Sequence, residues 1–274
     1  VAAVALVACG ATDLAPPLVT LEPEPNPMGQ DDPLWSVQPR RDRPRDVCVS
    51  ASGQKAWVML AGTEDVPGDE IAVVDLSRDS VSRRIRLGRS PYACALDPSG
   101  RWLIVTLRYT NRAVVLDAEA DAELARIHVP LYTESVVWAA SGKRVFFANR
   151  WKDSVFWLDF DPSEGPRSLE KQASSLDPAG SLGTPVGDNP GPMAISGDGE
   201  RLFVGLVAGA ALTVMDAQTG SLVDADHDPA TTSNGAPLGV SRIELRSPVG
   251  GIAALGNHVF VADVGPGLGS LPEH

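Results

Sequence analysis

The chain has 274 residues, of which 43% are hydrophobic and 21% are charged, so it can bury a substantial core and is not disordered by composition. The formal net charge of −12 argues against a general nucleic-acid-binding protein, because phosphate contacts need a basic surface. Three cysteines without a C-x-x-C pair exclude a disulfide-dense scaffold, a zinc ribbon and a c-type haem attachment site within this chain.

The first nine residues form an apolar run that ends at a cysteine. The run is too short to span a bilayer and is typical of the end of a secretory signal peptide. Leu6-Val7-Ala8-Cys9 resembles a bacterial lipobox, so we expect a lipid on Cys9 to anchor the protein to a membrane of the bacterial cell envelope. Residues 1–9 then end the signal peptide, and the proline-rich residues 10–43 form an extended tether. The alternative is an ordinary buried strand that contains a small apolar cysteine.

From residue 44 onward the sequence repeats itself. The segments 44–58, 91–105, 133–147, 190–204 and 247–261 align without gaps. Each reads as a short apolar strand, a turn, and a second strand rich in Val, Phe, Trp and Leu. The turns share a glycine at one position: Gly53, Gly100, Gly142, Gly199 and Gly256.

A third strand follows in four repeats and ends on an aspartate. The pivot glycine precedes this aspartate by 17 residues in three repeats, as from Gly100 to Asp117, and by 22 residues in the first. A fourth strand is visible at residues 84–87, 126–129 and 242–245. Four antiparallel strands in about 42 residues are typical of a β-propeller blade, and the short β-branched runs exclude a solenoid of helix pairs.

Two stretches of the second repeat resemble the YVTN family of bacterial propeller repeats. They are Ile104-Val-Thr-Leu107 and the following Asn111-Arg-Ala-Val-Val-Leu-Asp117. The resemblance covers roughly residues 44–263 and implies an all-β propeller of four-stranded antiparallel blades. It says little about function, because this fold is used by lactonases, dehydrogenase subunits, cytochrome-associated domains and binding scaffolds.

The blades are expected at residues 44–88, 91–129, 133–187, 190–245 and 247–274, and the last is incomplete. About 4.5 blades cannot close a ring without exposed strand edges. Because members of the resembled family usually have seven blades, we expect the partial propeller at residues 44–274 to belong to a longer protein.

Two long insertions interrupt the repeat between third and fourth strands, at residues 161–185 and 224–240. Their Ser, Gly, Pro and Asp content is typical of flexible surface loops. Asp224, Asp226 and Asp228 resemble the start of a calcium loop, but the glycine and glutamate that an EF-hand needs at its sixth and twelfth positions are missing. A calcium site there is the alternative to a solvated acidic loop, and we assign no metal ligands.

Two loops between second and third strands are basic and aromatic and belong to adjacent blades. Together with Arg89 they predict a positive patch that suits an anionic small molecule or an acidic protein. The alternative is that these side chains pair with Asp153 and nearby acids. The predicted patch comprises Arg108, Tyr109, Arg112, Arg150, Trp151 and Lys152.

A second candidate site lies where the innermost strands begin and line the channel. Arg45, Tyr92 and Glu134 occupy equivalent positions there, and they could bind a ligand or pair with one another and with water. Cys48 and Cys94 lie one position apart in adjacent innermost strands. We expect two buried free thiols, with a disulfide across the blade interface as the alternative.

No Ser/His/Asp or comparable catalytic grouping is recognisable. We therefore expect a non-catalytic envelope lipoprotein whose propeller binds a ligand or a protein. The alternatives are a redox accessory domain, with haem or quinone in a further or partner domain, and a lactonase-like hydrolase with its acid and base at the channel mouth.

Overall fold

The computed structural model describes residues 43–176, 183–256 and 258–263, together with the backbone of Val4–Val7. Its one helix, α1, spans Pro166–Ala173. The strands are β1 (Val4–Val7), β2 (Pro44–Val49), β3 (Lys55–Gly62), β4 (Pro67–Asp75), β5 (Ser80–Arg86), β6 (Pro91–Leu96), β7 (Trp102–Leu107), β8 (Arg112–Asp117), β9 (Ala122–His128), β10 (Thr133–Trp138), β11 (Arg144–Asn149), β12 (Ser154–Asp159), β13 (Thr184–Pro185), β14 (Pro190–Ile195), β15 (Arg201–Leu206), β16 (Ala211–Asp216), β17 (Leu222–Val223), β18 (Ile243–Glu244), β19 (Val249–Leu255) and β20 (His258–Asp263).

Within these residues the strands form five antiparallel sheets. The first three have four strands each, in the orders β2-β3-β4-β5, β6-β7-β8-β9 and β10-β11-β12-β13. The fourth contains β14, β15, β16, β17 and β18, and the fifth has the order β1-β20-β19. The expected all-β architecture of successive antiparallel blades is confirmed.

The hairpin turns explain the regular spacing of glycine and aspartate. The pivot glycines have positive φ, for example 76° at Gly100, a conformation that glycine adopts without a steric cost. In three of the four blades with such an aspartate, the carboxylate at the end of the third strand accepts hydrogen bonds from the N–H groups two and three residues later, as Asp117 Oδ1 does from Glu119 at 3.0 Å and Ala120 at 2.9 Å. We call the end of the sheets that carries these turns the turn end.

Hydrophobic side chains fill the space between neighbouring sheets. The largest fully buried side chains include Trp57, Leu103, Phe146, Phe147 and Phe156. Burial of each such side chain stabilises the fold by about 1.5–3 kcal/mol. The second sheet shares a hydrophobic cluster with a neighbour on each side, and all six residues of its strand β7 are buried.

The first insertion is partly helical rather than a loose loop. Gly165 precedes α1, and Pro166 occupies its first turn, where a missing N–H is harmless. Leu169 and Ala173 are buried and join the hydrophobic cluster that contains Trp102 and Trp138. The expectation of flexible decoration is therefore wrong for this part of residues 161–185, because an apolar helical face packs on the sheets.

The second insertion divides a strand. β17 and β18 both pair with β16, through Met215 opposite Leu222 and Leu212 opposite Ile243. The sequence placed the insertion before a fourth strand at residues 242–245. The structure shows that it interrupts that strand, whose first part already pairs at Leu222–Val223.

The two cysteines of the innermost strands form a disulfide. Cys48 in β2 and Cys94 in β6 are joined, with their Cα atoms 6.1 Å apart. The expectation of two free thiols is wrong, because the sheets approach closely enough there for the side chains to meet. With a sequence separation of 46 between the cysteines, the crosslink is expected to stabilise the fold by about 3–4 kcal/mol through chain entropy.

The N-terminal strand belongs to the fifth sheet. β1 runs antiparallel to β20, from Val4 opposite Ala262 to Val7 opposite Val259. The predicted lipid site, Cys9, and the tether up to residue 42 lie outside the described residues. Among the residues that the structure does describe, no helix is long and apolar enough to cross a membrane.

Candidate ligand-binding face

Arg108 lies among the only three tyrosines of the sequence. Its guanidinium carbon is 5.0 Å from the ring centre of Tyr92, 5.1 Å from that of Tyr109 and 5.8 Å from that of Tyr132. These distances are typical of cation–π contacts. The three rings therefore hold this arginine in a defined position.

Glu134 provides the counter-ion for Arg108. Arg108 Nε lies 2.6 Å from Glu134 Oε1, and the glutamate side chain is only 7% exposed. Arg150 Nη1 lies 3.9 Å from the other carboxylate oxygen, and its Nε donates to Asn189 Oδ1 at 3.0 Å. Glu134 thus joins arginines from two adjacent blades. The two candidate sites that the sequence kept apart form one cluster.

The repeat itself brings these residues together. Tyr92 and Glu134 are the second residues of β6 and β10, while Arg108 and Arg150 directly follow β7 and β11. Pro91 lies opposite Leu107 and Thr133 opposite Asn149, so the start of each innermost strand adjoins the end of the next strand. A backbone bond from Arg108 N to Ser90 O at 3.0 Å, repeated from Arg150 N to Tyr132 O at 3.1 Å, closes each corner.

Two further arginines lie on aromatic rings in this cluster. The guanidinium carbon of Arg45 is 4.8 Å from the ring centre of Tyr92, and that of Arg89 is 5.4 Å from the ring centre of Tyr109. Neither arginine has a carboxylate within ion-pair distance among the described residues, and both are exposed. Their charge is available to a ligand.

An exposed aromatic pair completes the cluster. Tyr132 and Trp151 stack with ring centres 5.2 Å apart and an interplanar angle of 20°. Trp151 is 70% exposed, although the Asn149 side chain orders its turn by accepting the Lys152 N–H at 2.9 Å. We call the whole cluster the arginine–tyrosine face: Arg45, Arg89, Tyr92, Arg108, Tyr109, Tyr132, Glu134, Arg150 and Trp151.

Sequence reasoning missed Tyr132. This residue has a φ of 61°, which is costly for a bulky side chain and is often found at functional sites. Ser90 and Asn189 take the same conformation directly before β6 and β14, as Tyr132 does before β10. The repeat could have identified the position, but nothing in the local sequence places a tyrosine there against Trp151.

Two residues of the predicted patch, Arg112 and Lys152, make no side-chain contact with this cluster among the interactions of the described residues. Arg112 is exposed and its Nη1 donates to Asn111 O at 3.0 Å, and Lys152 is exposed as well. The predicted ion pair with Asp153 does not form, because Asp153 Oδ1 instead accepts the N–H of Asn189 at 2.9 Å. That alternative explanation of the patch is therefore wrong for Asp153.

The buried ionisable groups keep defined protonation states. Burial raises the pKa of Asp46, although the N–H groups of Cys94 and Val47 and the charge of Arg45 oppose the shift. Burial, assisted by Glu134, also raises the pKa of Tyr92, which therefore remains a hydrogen-bond donor at neutral pH. Burial acts to lower the pKa of Arg108, but Glu134 and the tyrosines outweigh it and the pKa rises, so the arginine stays cationic.

The described part of the chain contains no group of three His, Cys, Asp or Glu side chains close enough to hold a metal ion. In the acidic loop, Asp226 Oδ1 accepts the N–H of Asp228 at 3.0 Å, and Asp224 Oδ1 accepts the N–H of Ser241 at 3.0 Å. These carboxylates therefore already stabilise the loop. The calcium expectation gains no support from this geometry.

Comparison with known proteins defines the fold alone. No family model and no curated protein matches the sequence. Among solved structures, hydrazine synthase of Kuenenia stuttgartiensis matches 72% of this chain and 51% of its own, with 18% identity and a TM-score of 0.53. A putative 6-phosphogluconolactonase from Bacteroides uniformis matches 66% of this chain and 53% of its own, with 14% identity and a TM-score of 0.51.

A third match is the Cps50 (Swd1) β-propeller domain of Myceliophteria thermophila, with 15% identity, a TM-score of 0.46, and coverage of 65% of this chain and 55% of that one. The chain thus spans about half the length of the solved structures it resembles. The successive antiparallel sheets, three of them four-stranded, and the likeness to the first two structures give the chain a β-propeller-type fold.

Proposed function

We propose that this chain is a binding scaffold of the bacterial cell envelope and that its arginine–tyrosine face binds an anionic partner. The proposal is carried by one observation. On a protein with a net charge of −12, Arg45 and Arg89 are exposed on one face with no carboxylate partner among the described residues. Such positive charge on an acidic protein favours an anionic ligand.

The charge balance of the face supports this proposal. Among the nine residues of the face, Glu134 is the one carboxylate beside four arginines, which leaves a surplus of positive charge shared by Arg45, Arg89 and Arg150. Asp46 next to Arg45 and Glu64 near Tyr109 border this surplus. A guanidinium group binds a carboxylate or phosphate through two parallel hydrogen bonds, and stacking on a ring orients it beforehand. Less conformational entropy is then lost when the anion binds.

Two features support an envelope location. The lipobox-like Leu6–Cys9 predicts a lipid anchor, whose attachment after cleavage before Cys9 would remove β1 from the fifth sheet, and the Cys48–Cys94 disulfide suits an oxidising compartment. The lipid would provide attachment to a membrane, while the propeller would provide recognition.

The direct test measures binding of a fluorescent hexaglutamate peptide by anisotropy at low salt, with hexalysine as the comparison. We expect hexaglutamate to bind, and the double variant Arg45→Ala/Arg150→Ala to lose at least about tenfold in affinity, since charged contacts contribute about 1.5–3 kcal/mol each. Arg101→Ala is the matched control. Arg101 also lies over a ring, 5.0 Å from the centre of Trp102, but at the turn end. Equal loss in the control, or no binding of hexaglutamate, would refute the proposal.

A lactonase-like hydrolase is the second candidate. It is favoured by the buried Glu134 beside Arg108 and Tyr92, which places an acid–base group next to cations that could stabilise an oxyanion. A lactone-hydrolysis assay on the purified chain discriminates the two candidates. Turnover that Glu134→Gln abolishes would establish the hydrolase and contradict the non-catalytic scaffold. The redox accessory role, with haem or quinone in another domain, stays a prediction.

A further inference from the structure

The positive charges of the arginine–tyrosine face are distributed across three blades. Arg45 belongs to β2, Arg108 follows β7 in the second sheet, and Arg150 follows β11 in the third. Packed sheets lie about 10 Å apart, so these positions extend over about 20 Å. A single carboxylate reaches two neighbouring arginines, as Glu134 does Arg108 and Arg150, whereas an extended peptide of about six residues covers the whole distance.

The face also offers an aromatic surface beside these charges. Trp151 exposes 70% of its surface, yet its ring is held against Tyr132, which in turn contacts Arg108 and lies 6.1 Å from Tyr109. A large aromatic side chain that is both rigid and exposed loses little entropy on binding. Trp, Tyr and Arg together are the residue types that dominate the energy of protein interfaces.

We infer that the anionic partner is an extended acidic segment of a protein that carries an aromatic residue against Trp151. Its carboxylates contact Arg45, Arg89 and Arg150, and its ring packs on the exposed indole. This inference rests on the proposed function and names the partner class for the same face. Acidic side chains provide attraction to the arginines, and the ring provides the register along the segment.

The internal contact between Arg108 and Glu134 sets the centre of this surface. Their charges cancel locally, and Glu134 is buried, so the segment meets positive charge on either side of a neutral middle. Arg45 and Arg89 flank this middle through the rings of Tyr92 and Tyr109, while Trp151 lies beyond Tyr132. The pattern therefore fits a segment that carries both acids and an aromatic residue better than a compact polyanion.

The experiment uses eight-residue fluorescent peptides of alternating Glu and Asp, with either Phe or Leu at the centre, and the full chain. We expect the Phe peptide to bind about threefold to tenfold more tightly than the Leu peptide, in keeping with an aromatic contact of about 0.5–1.5 kcal/mol. Trp151→Ala should abolish this preference, and Trp151→Phe should retain most of it. Because Trp151 is largely exposed, neither variant is expected to unfold.

The possible outcomes separate the inference from the proposed function. If both peptides bind equally and still require Arg45 and Arg150, the aromatic anchor is refuted while an anion-binding face survives. If free glutamate competes as effectively as the octapeptide at equal concentration, the extended segment is refuted. If neither peptide nor hexaglutamate binds, the proposed function itself fails.

Discussion

The two ends of the sheets use charge in different ways. At the turn end, carboxylates accept hydrogen bonds from their own backbone, as Asp75, Asp117 and Asp216 do from the N–H groups two and three residues later. These bonds satisfy the backbone N–H groups of the turn, so the carboxylates stabilise the fold. Such a carboxylate has little left to offer a ligand.

At the opposite end, the charged side chains of the arginine–tyrosine face have no backbone hydrogen-bond partner among the described residues. A neighbouring ring alone does not set this end apart, because Arg101 at the turn end also lies over one. Arg45, Arg89 and Arg108 lie over tyrosines, and only Arg108 has a close carboxylate there. The difference teaches that a charge repeated within a turn mainly serves the fold. A charged side chain that recurs at positions without a backbone hydrogen-bond partner is the better candidate for ligand recognition.

The largest effect is expected from Asp121 at the turn end. Its Oδ1 accepts from Trp57 Nε1 at 2.7 Å and lies 3.1 Å from Lys55 Nζ, while its Oδ2 lies 2.9 Å from Arg83. Asp121→Ala leaves the buried indole N–H without an acceptor, so we expect a loss of about 2 kcal/mol in the free energy of unfolding, measured by urea denaturation.

Asp121→Asn is the matched variant, because asparagine keeps an acceptor and tolerates the φ of 52° found here. It should lose less stability than Asp121→Ala. Binding of acidic peptides to the folded protein should be unchanged in both variants. Weaker peptide binding by a fully folded Asp121 variant would contradict the proposal that the turn end serves stability and the opposite end serves ligand binding.

An intermediate effect is expected from Glu134. This carboxylate competes with any anionic ligand for Arg108 and Arg150. Glu134→Gln should therefore tighten binding of the acidic octapeptide by about threefold to tenfold and lower the free energy of unfolding by about 1 kcal/mol, because Arg108 loses its counter-ion. Fluorescence anisotropy and urea denaturation measure the two changes.

Glu123→Gln provides the control for Glu134. Glu123 pairs with Arg126 at 2.7 Å, but both side chains are well exposed on β9. Exposed pairs contribute little, so neither stability nor binding should change appreciably. Tighter peptide binding in the control would show that overall charge, and not the position of Glu134, sets the affinity.

The smallest effect concerns pH and has opposite signs at two aspartates. Hydrogen bonds from Thr219, first its backbone N–H, lower the pKa of Asp216, so its contribution to stability is present above the ordinary carboxyl pKa and is lost as the pH falls through the lowered value. Burial raises the pKa of Asp46, so its ionisation costs stability as the pH rises from the ordinary value through the raised one.

Urea midpoints measured between about pH 3 and about pH 6 test both signs. Compared with the parent chain, Asp216→Asn should lose less stability on acidification. Asp46→Asn should gain relative stability as the pH rises above about 4, because it removes a costly buried charge while keeping an acceptor for Cys94 N–H. If the urea midpoint depended on pH in the same way in both variants, the opposite signs predicted for Asp216 and Asp46 would be wrong.

Much of the fold could be predicted from the repeat. The glycine and the aspartate lie in successive turns at the same end of a sheet, and the conformation of each turn is set by residues close together in the sequence. The split of the fourth strand around the second insertion was not predictable, because Leu222–Val223 is too short a segment to be recognised without its partner β16.

The candidate site was predictable only in pieces. Arg108, Arg150, Tyr92 and Glu134 were each identified, since they occupy repeated positions beside strand ends. That they form one cluster could not be predicted, because the 2.6 Å ion pair between Arg108 and Glu134 depends on how two sheets pack. The same holds for the stacking of Trp151 on Tyr132.

By itself, the sequence determined the strand order within each repeat, the turn chemistry and the class of fold, because these depend on neighbours along the chain. Only the tertiary structure decided that Cys48 meets Cys94, that Leu169 on α1 is buried, and that one glutamate joins arginines of adjacent blades. These contacts arise between sheets, where the packing of buried side chains sets the distance, and no local pattern encodes that distance.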